Sequence, residues 1–183
     1  MELTKTVKDN KYGTEIQVID NFLDAKDFMA IREVMSQTLF DWHFADKITS
    51  HLGDDNPYFY FCHLFYNHND FRTSPYFEVI TPILKKLDPH AILRVKGNLY
   101  PNQGIGVVEH SMHSDYPNPH YGALFSLNTC DGYTRVGDTK IPSVENRILI
   151  FDPSIPHTST TTSDAKYRMN INLNLVRLGV NYV

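Results

Sequence analysis

The stretch EHSMHSDYPNPH, Glu109 to His120, gathers three histidines and two acids into twelve residues among turn formers. Histidine is rarely used that densely for packing. The stretch is either a polar loop that collects histidines or half of a metal site. The choice decides whether the β-rich half of the chain is an ordinary solvated sheet or a barrel closed around a pocket.

Around this stretch, short apolar or alternating segments are separated by Gly, Pro, Asn and Asp: AILRVKGNLYPN, IGVVEHSMHSD, YGALFSLNTC, GYTRVG, NRILIFDP, HTSTTT and YRMNINLNLV. Strands at that spacing predict a β-sandwich or barrel. Upstream, TEIQVIDNFLD reads as a strand ending between Asp20 and Asp24. Phe28, Ile31, Val34, Met35 and Leu39 then recur at helical spacing behind Asp24, an N-cap residue. ADKITSHLGDDNP reads as a loop and YFYFCHLFYN as a strand in the core or at a pocket wall. SPYFEVITPILKKL predicts a second helix capped by Ser74 with Pro75 at its first position, and Pro82 as a kink or near its end. The fold class expected is mostly β: a jelly roll with amino-terminal helices packed on one sheet. It is read as one domain over residues 1–183, with helical support about 20–90 and the jelly-roll core about 91–178.

His113 and Asp115 form an HxD pair, and two residues apart on an extended segment point the same way. Alone the pair means little. Nine histidines and fifteen aspartates supply about 0.7 such pairs by chance, and His68 with Asp70 is a second one. What separates them is downstream. His157 follows the apolar segment LIFDPSIP, and eleven residues later Arg168 opens RMNINLNL. Two histidines and one carboxylate leave open positions on a metal, as in non-haem Fe(II) oxygenases. An arginine on a neighbouring strand offers a fork for a carboxylate. His68 and Asp70 lack any such sequel and lie among turn residues, so they read as a solvated loop. In the last segment Arg168, Asn170, Asn172 and Asn174 share one face, and Met169, Ile171, Leu173 and Leu175 the other. An ordinary sheet would turn the polar face to water. With Arg168 required inside, the asparagines would line a pocket and the aliphatic face would pack under the helices.

Composition narrows the function classes. The 42% hydrophobic and 13% aromatic fractions belong to a folded chain, and the net charge of −4 comes with no basic cluster, so no nucleic-acid partner is expected. No apolar run reaches a membrane span, and MELTKTVKDN is unlike a secretory signal, so a cytoplasmic location is expected. Cys62 and Cys130, far apart and without CxxC spacing, read as reduced thiols.

Taken together, IQVIDNFLD, LYPNQGIGVVEHSMHSD, SLNTCDGYTRVGDTKIPSVENRILIFDPSIPHTSTTT and YRMNINLNL give the chain a resemblance to the 2-oxoglutarate and Fe(II)-dependent oxygenases. Within them it resembles the prolyl-4-hydroxylase-like group, in particular its small members in phages and marine bacteria. The resemblance implies a double-stranded β-helix, the cupin-like jelly roll, with helices behind the larger sheet. It implies Fe(II) held by His113, Asp115 and His157, and 2-oxoglutarate with its distal carboxylate on Arg168. Tyr100 matches a pocket tyrosine of relatives. Ser126 stands where some relatives carry a second tyrosine on the same carboxylate, with Asn170 as a substitute for that contact, and His110 stands where another pocket tyrosine can occur. Molecular oxygen is the implied co-reactant, with ascorbate a further candidate. The implied reaction hydroxylates a C–H bond of a peptidyl, prolyl-like or amino-acid-like substrate and releases succinate and CO2. The presence of Asp115 departs from halogenating relatives. Asn174, six residues after Arg168, departs from the nucleic-acid demethylases, which carry a second arginine there.

Three other readings stay open at this point. One is a jelly-roll binding module with a vestigial metal site, another a small-metabolite oxygenase of the same fold, and a third a cupin-type metal enzyme that works without 2-oxoglutarate. Aromatic-rich NPYFYFCHLFY with the loops KITSHLGDDNP and DYPNPHYG would suit either a peptide groove or a lid over a metabolite.

Overall fold

The computed structural model describes residues 3–47, 58–70 and 72–177. KITSHLGDDNP, offered above as one wall of a groove, lies outside the described residues except for Lys47. The chain runs β1 (Leu3–Lys8), β2 (Glu15–Asp20), α1 (Ala25–Ser36), β3 (His43–Ala45), β4 (Tyr60–Asn67), β5 (Arg72–Thr73), a 3-10 turn (Phe77–Ile80) and α2 (Thr81–Leu87). The β-rich half follows as β6 (Ala91–Pro101), β7 (Tyr121–Ser126), β8 (Tyr133–Val136), β9 (Thr139–Pro142), β10 (Arg147–Phe151), β11 (His157–Ser159) and β12 (Tyr167–Val176). The major sheet has the order β1-β2-β10-β7-β12-β6-β4-β3, with β5 also on β4; the minor sheet has the order β11-β8-β9. The described pairings are antiparallel, and the expected jelly roll is the architecture found.

Burial explains the layering. The main core lies on the outer face of the major sheet, where Phe28, Ile31 and Met35 of α1 and Ile83 and Leu87 of α2 meet Phe125, Met169, Ile171, Leu173 and Leu175. Gly97 of β6 lets that contact close, because a Cβ there would stand 2.9 Å from the Met35 terminal methyl. A second apolar cluster fills the space between the two sheets at one end, from Ile16, Val18, Leu124 and Leu149 to Val136 and Ile141. β7 and β10 are therefore covered on both faces and are buried along their whole length.

Three local expectations are corrected. The helix after Asp24 is present and the Asp24 side chain accepts from Asp27 N, but α1 ends at Ser36, leaving Leu39 82% exposed. Phe40 takes the apolar contact instead, beside Trp42, whose indole N–H donates to Met35 O at 3.1 Å. The second helix does not start at Ser74 and Pro75. Pro82 lacks an N–H and clashes inside a helix, so α2 begins at Thr81 with Pro82 in its first turn and the 3-10 turn ahead of it. Ser74 instead holds His63 Nε2 at 2.7 Å and accepts from Tyr76 N. IGVVEHSMHSD is not a strand, because Gly104 and Gly106 take positive φ (73° and 85°) and pairing survives only as bridges Glu109–Thr160 and His113–His157. The charged amino terminus, for which no element is expected, forms an edge strand, β1, whose exposed lysines show no core-facing alternation.

Candidate active site

His113 and His157 face each other across an isolated antiparallel bridge, with each backbone N–H donating to the other's carbonyl at 2.9 Å. Asp115 N donates to Pro153 O at 3.0 Å, which ties the third residue to the turn leading into β11. One ligand atom from each of His113, Asp115 and His157 lies within 4.8 Å of the others. Among the described residues this is the one such group of histidines and acids that could hold a metal. Nδ1 of His157 lies 2.9 Å from Ile155 O and Nδ1 of His113 lies 3.3 Å from Ser111 O. A nitrogen facing a carbonyl carries the proton, so both rings keep their Nε2 lone pairs for a ligand.

The electrostatics suit a cation. Burial, reinforced by the neighbouring His157, pushes His113 down to about 4, and burial likewise lowers His157, so both imidazoles are neutral at pH 7. Burial works against the Asp115 charge, but the Arg94 guanidinium at 3.0 Å and the Asn172 amide, donating at 3.0 Å, hold the carboxyl well below the usual range. Two neutral imidazoles and one ionised carboxylate on one side of a cavity are a fitting donor set for Fe(II).

β6 and β12 pair Tyr100 with Arg168, Asn98 with Asn170, Lys96 with Asn172 and Arg94 with Asn174, and the cavity lies against the middle of this ladder, with Arg168, Arg94 and Asn174 outside its lining. Tyr100, Asn98, Asn170, Asn172 and Lys96 line it with His113, Asp115 and His157. The polar face of β12 thus points inward, as required by an internal Arg168. Arg168 is 1% exposed; it donates to Thr134 Oγ1 at 2.7 Å and to Thr160 O at 3.3 Å, and its guanidinium lies 5.9 Å from the Tyr100 ring centre. Its Nε has no partner, and no carboxylate of the described residues lies within 4.0 Å. An unpaired buried guanidinium costs several kcal/mol, so a site built around one fits an anionic ligand. Gly132 makes room for it, since a Cβ there would stand 2.6 Å from Thr161 O and 2.8 Å from Arg168 Cδ.

Other candidate residues fall nearby or away. Ser126 is buried on the rung beside Asn170 but does not line the cavity. His110 is outside the lining too; it is held by Ser159 Oγ at 2.8 Å, with its ring 5.3 Å from Tyr100. His68 and Asp70 sit in an exposed turn. The sequence reading missed Arg94, Lys96, Thr134 and Gly132. Arg94 and Lys96 had a signal, because RVKGNLY alternates polar and apolar positions just as RMNINLNL does.

No family model matches the chain, and no curated protein matches its sequence. Solved structures do match its fold. A prolyl hydroxylase from Trichoplax adhaerens, in complex with a hypoxia inducible factor oxygen degradation domain peptide fragment, superposes with a TM-score of 0.62 at 16% identity, over 88% of this chain and 83% of that one. A 2OG-Fe(II) oxygenase family oxidoreductase from Burkholderia pseudomallei gives 0.61 at 11% identity, over 86% and 82%. A Pseudomonas putida prolyl-4-hydroxylase gives 0.55 at 11% identity, over 88% and 92%. Over most of its length, then, this chain has the fold of the prolyl hydroxylases and 2OG-Fe(II) oxygenases, with a His-Asp-His group and a buried arginine inside the barrel.

Proposed function

We propose that this protein is a 2-oxoglutarate- and Fe(II)-dependent dioxygenase that hydroxylates a C–H bond of a peptidyl, prolyl-like or amino-acid-like substrate. The observation that carries the reading is Arg168, a buried guanidinium without a carboxylate, in the same barrel as His113, Asp115 and His157. A metal site alone would suit a cupin-type enzyme equally well; the waiting cation is what asks for a dicarboxylic cosubstrate.

In this reading His113, Asp115 and His157 hold the iron. Arg168 takes the distal carboxylate of 2-oxoglutarate, with Tyr100 and Asn170 beside the cosubstrate and Ser126 behind Asn170, outside the lining. Bound iron, with 2-oxoglutarate and O2, supplies oxidative decarboxylation to succinate and CO2 coupled to hydroxylation. The protein's part is orientation and dryness. Carbonyls of Ser111 and Ile155 fix the two imidazole tautomers, while Arg94 and Asn172 fix the carboxylate rotamer. Outside the cavity a depression of about 540 Å³, lined by residues 112–117 and Pro156, shares His113 and Asp115 with it. That depression supports entry of a peptide-sized substrate beside the metal ligands.

The deciding experiment is an anaerobic titration of metal-free protein with Fe(II) and 2-oxoglutarate, following the visible metal-to-ligand charge-transfer band. The band should require both components and vanish in His113→Ala. In Arg168→Ala the 2-oxoglutarate affinity should fall by roughly 2–5 kcal/mol, the cost of stranding a buried charge partner. A well-folded protein that binds Fe(II) but shows no band, or an Arg168→Ala variant with unchanged affinity, would refute the cosubstrate assignment.

A further inference from the structure

We infer that the primary substrate carries a carboxylate and that Lys96 recognises it; the inference rests on the oxygenase reading and names the substrate class of the same site. Lys96 projects from β6 into the cavity that His113, Asp115 and His157 line. Its ammonium is 3.4 Å from the Tyr60 hydroxyl and 5.5 Å from the centre of the Tyr60 ring, both neutral neighbours. No carboxylate of the described residues comes within 4.0 Å of it. Asp115, the acid of this cavity, is already matched by Arg94 and Asn172.

The charges around the cavity leave Lys96 over. Arg94 belongs to Asp115, and Arg168 awaits the distal carboxylate of the cosubstrate. The other end of the cosubstrate belongs to the metal. Lys96 stands opposite Asn172, whereas Arg168 stands opposite Tyr100. Four residues of β6 separate these rungs, about 13 Å along the strand, so the two cations spring from different rungs, and Lys96 stands at the rung of Asn172, which bonds the metal-site carboxylate Asp115. A half-buried ammonium with no carboxylate in contact is costly, and an aliphatic side chain would fill that wall without the cost. A third anion, arriving with the substrate, is the ligand that matches it. Lysine is a compact charge with three donors on a flexible stem, suited to a carboxylate whose orientation is set elsewhere, here by the metal-side lining. The carboxylate can come from a free amino acid, from the carboxyl terminus of a peptide, or from an acidic side chain.

The test is calorimetry on protein loaded anaerobically with Fe(II) and 2-oxoglutarate. The probes are the twenty amino acids, each as free acid, N-acetyl acid and N-acetyl amide. At least one α-carboxylic acid should bind tenfold or more tighter than its amide, or the N-acetyl amide of Asp or Glu tenfold or more tighter than that of Asn or Gln. A free acid, an N-acetyl acid or an N-acetyl amide of Asp or Glu as the best probe identifies which of the three sources applies. Lys96→Met should remove the preference and change 2-oxoglutarate affinity less than twofold, whereas Lys96→Arg, a control for folding, should retain the preference. Equal binding of acids and amides together with equal binding of the Asp or Glu and Asn or Gln amides, or no binding by any carboxylate probe to the loaded wild type, overturns the inference. So does a preference that survives Lys96→Met, or a loss of 2-oxoglutarate affinity in Lys96→Met as large as in Arg168→Ala, which would make Lys96 a cosubstrate residue. If 2-oxoglutarate itself fails to bind the wild type, the oxygenase reading falls and this inference falls with it.

Discussion

Arg168 owes its seat to a residue that touches no ligand. Gly132 lies against it so closely that one added methyl group would meet Thr161 O and Arg168 Cδ at 2.6 and 2.8 Å. Gly132→Ala should therefore lower 2-oxoglutarate affinity at least tenfold while Fe(II) binding, read by calorimetry, stays intact. The histidines make a second prediction at this scale. Burial holds His113 near 4 and lowers His157, whereas in the unfolded chain both titrate near 6.5. Since the folded values are the depressed ones, the unfolded state takes up protons first. The stability these groups contribute is complete above about pH 6.5 and is lost as pH falls toward 4, on the order of 3 kcal/mol for His113. Urea denaturation of the metal-free protein across that window should show the decline, and His113→Gln should flatten it. A wild-type curve level from pH 7 to 4 would contradict the assigned burial.

At the scale of elements, the β6–β12 pair carries the cavity and its supports. Asn172→Ala removes the amide that steadies Asp115 and should weaken Fe(II) binding by roughly 10–100-fold, the usual effect of losing a ligand's hydrogen-bond partner. Unchanged affinity would mean that Arg94 alone orients the carboxylate. The two sheets are joined by another buried acid. Asp9, at the end of β1, accepts from Lys11 N and Tyr12 N in its own hairpin and from Asp138 N and Thr139 Oγ1 in the β8–β9 hairpin. Burial raises its pKa, but these donors together bring it below the ordinary value of 3.8. Asp9→Ala should cost about 2 kcal/mol at pH 7 by urea denaturation. Because the folded pKa is the lower one, the difference between variant and wild type should shrink as pH falls below 3.8. β1 itself was hidden in the sequence for a physical reason: an edge strand with exposed lysines has no buried face to impose alternation.

The whole molecule is a barrel with a dry outer face and a charged interior, and the helices make that arrangement possible. Ile31→Ala at the α1 interface should cost about 2–5 kcal/mol in thermal or urea unfolding and leave Fe(II) affinity unchanged, because its contacts lie on the opposite face of the sheet from the cavity. Loss of metal affinity in that variant would show that the helices shape the site as well as cover the sheet.

Much was determined locally by the sequence: the jelly-roll class, the Asp24 cap, the His113, Asp115 and His157 group, and the inward asparagine face of β12. These follow from alternation, spacing and the chemical demands of one buried arginine, all of which are local or nearly so. The start of α2 was local too, since Pro82 marks it, but Ser74 and Pro75 offered a competing start that the bond between Ser74 and His63 removes. Only the tertiary structure decided which residues complete the site. Arg94 and Lys96 enter it because β6 pairs with β12 in one register. Ser126 and His110 stay outside its lining because Asn170 and Tyr100 line the cavity where they come near it. Strand register between segments some seventy residues apart is set by the packing of whole faces, and no stretch of either strand contains that information by itself.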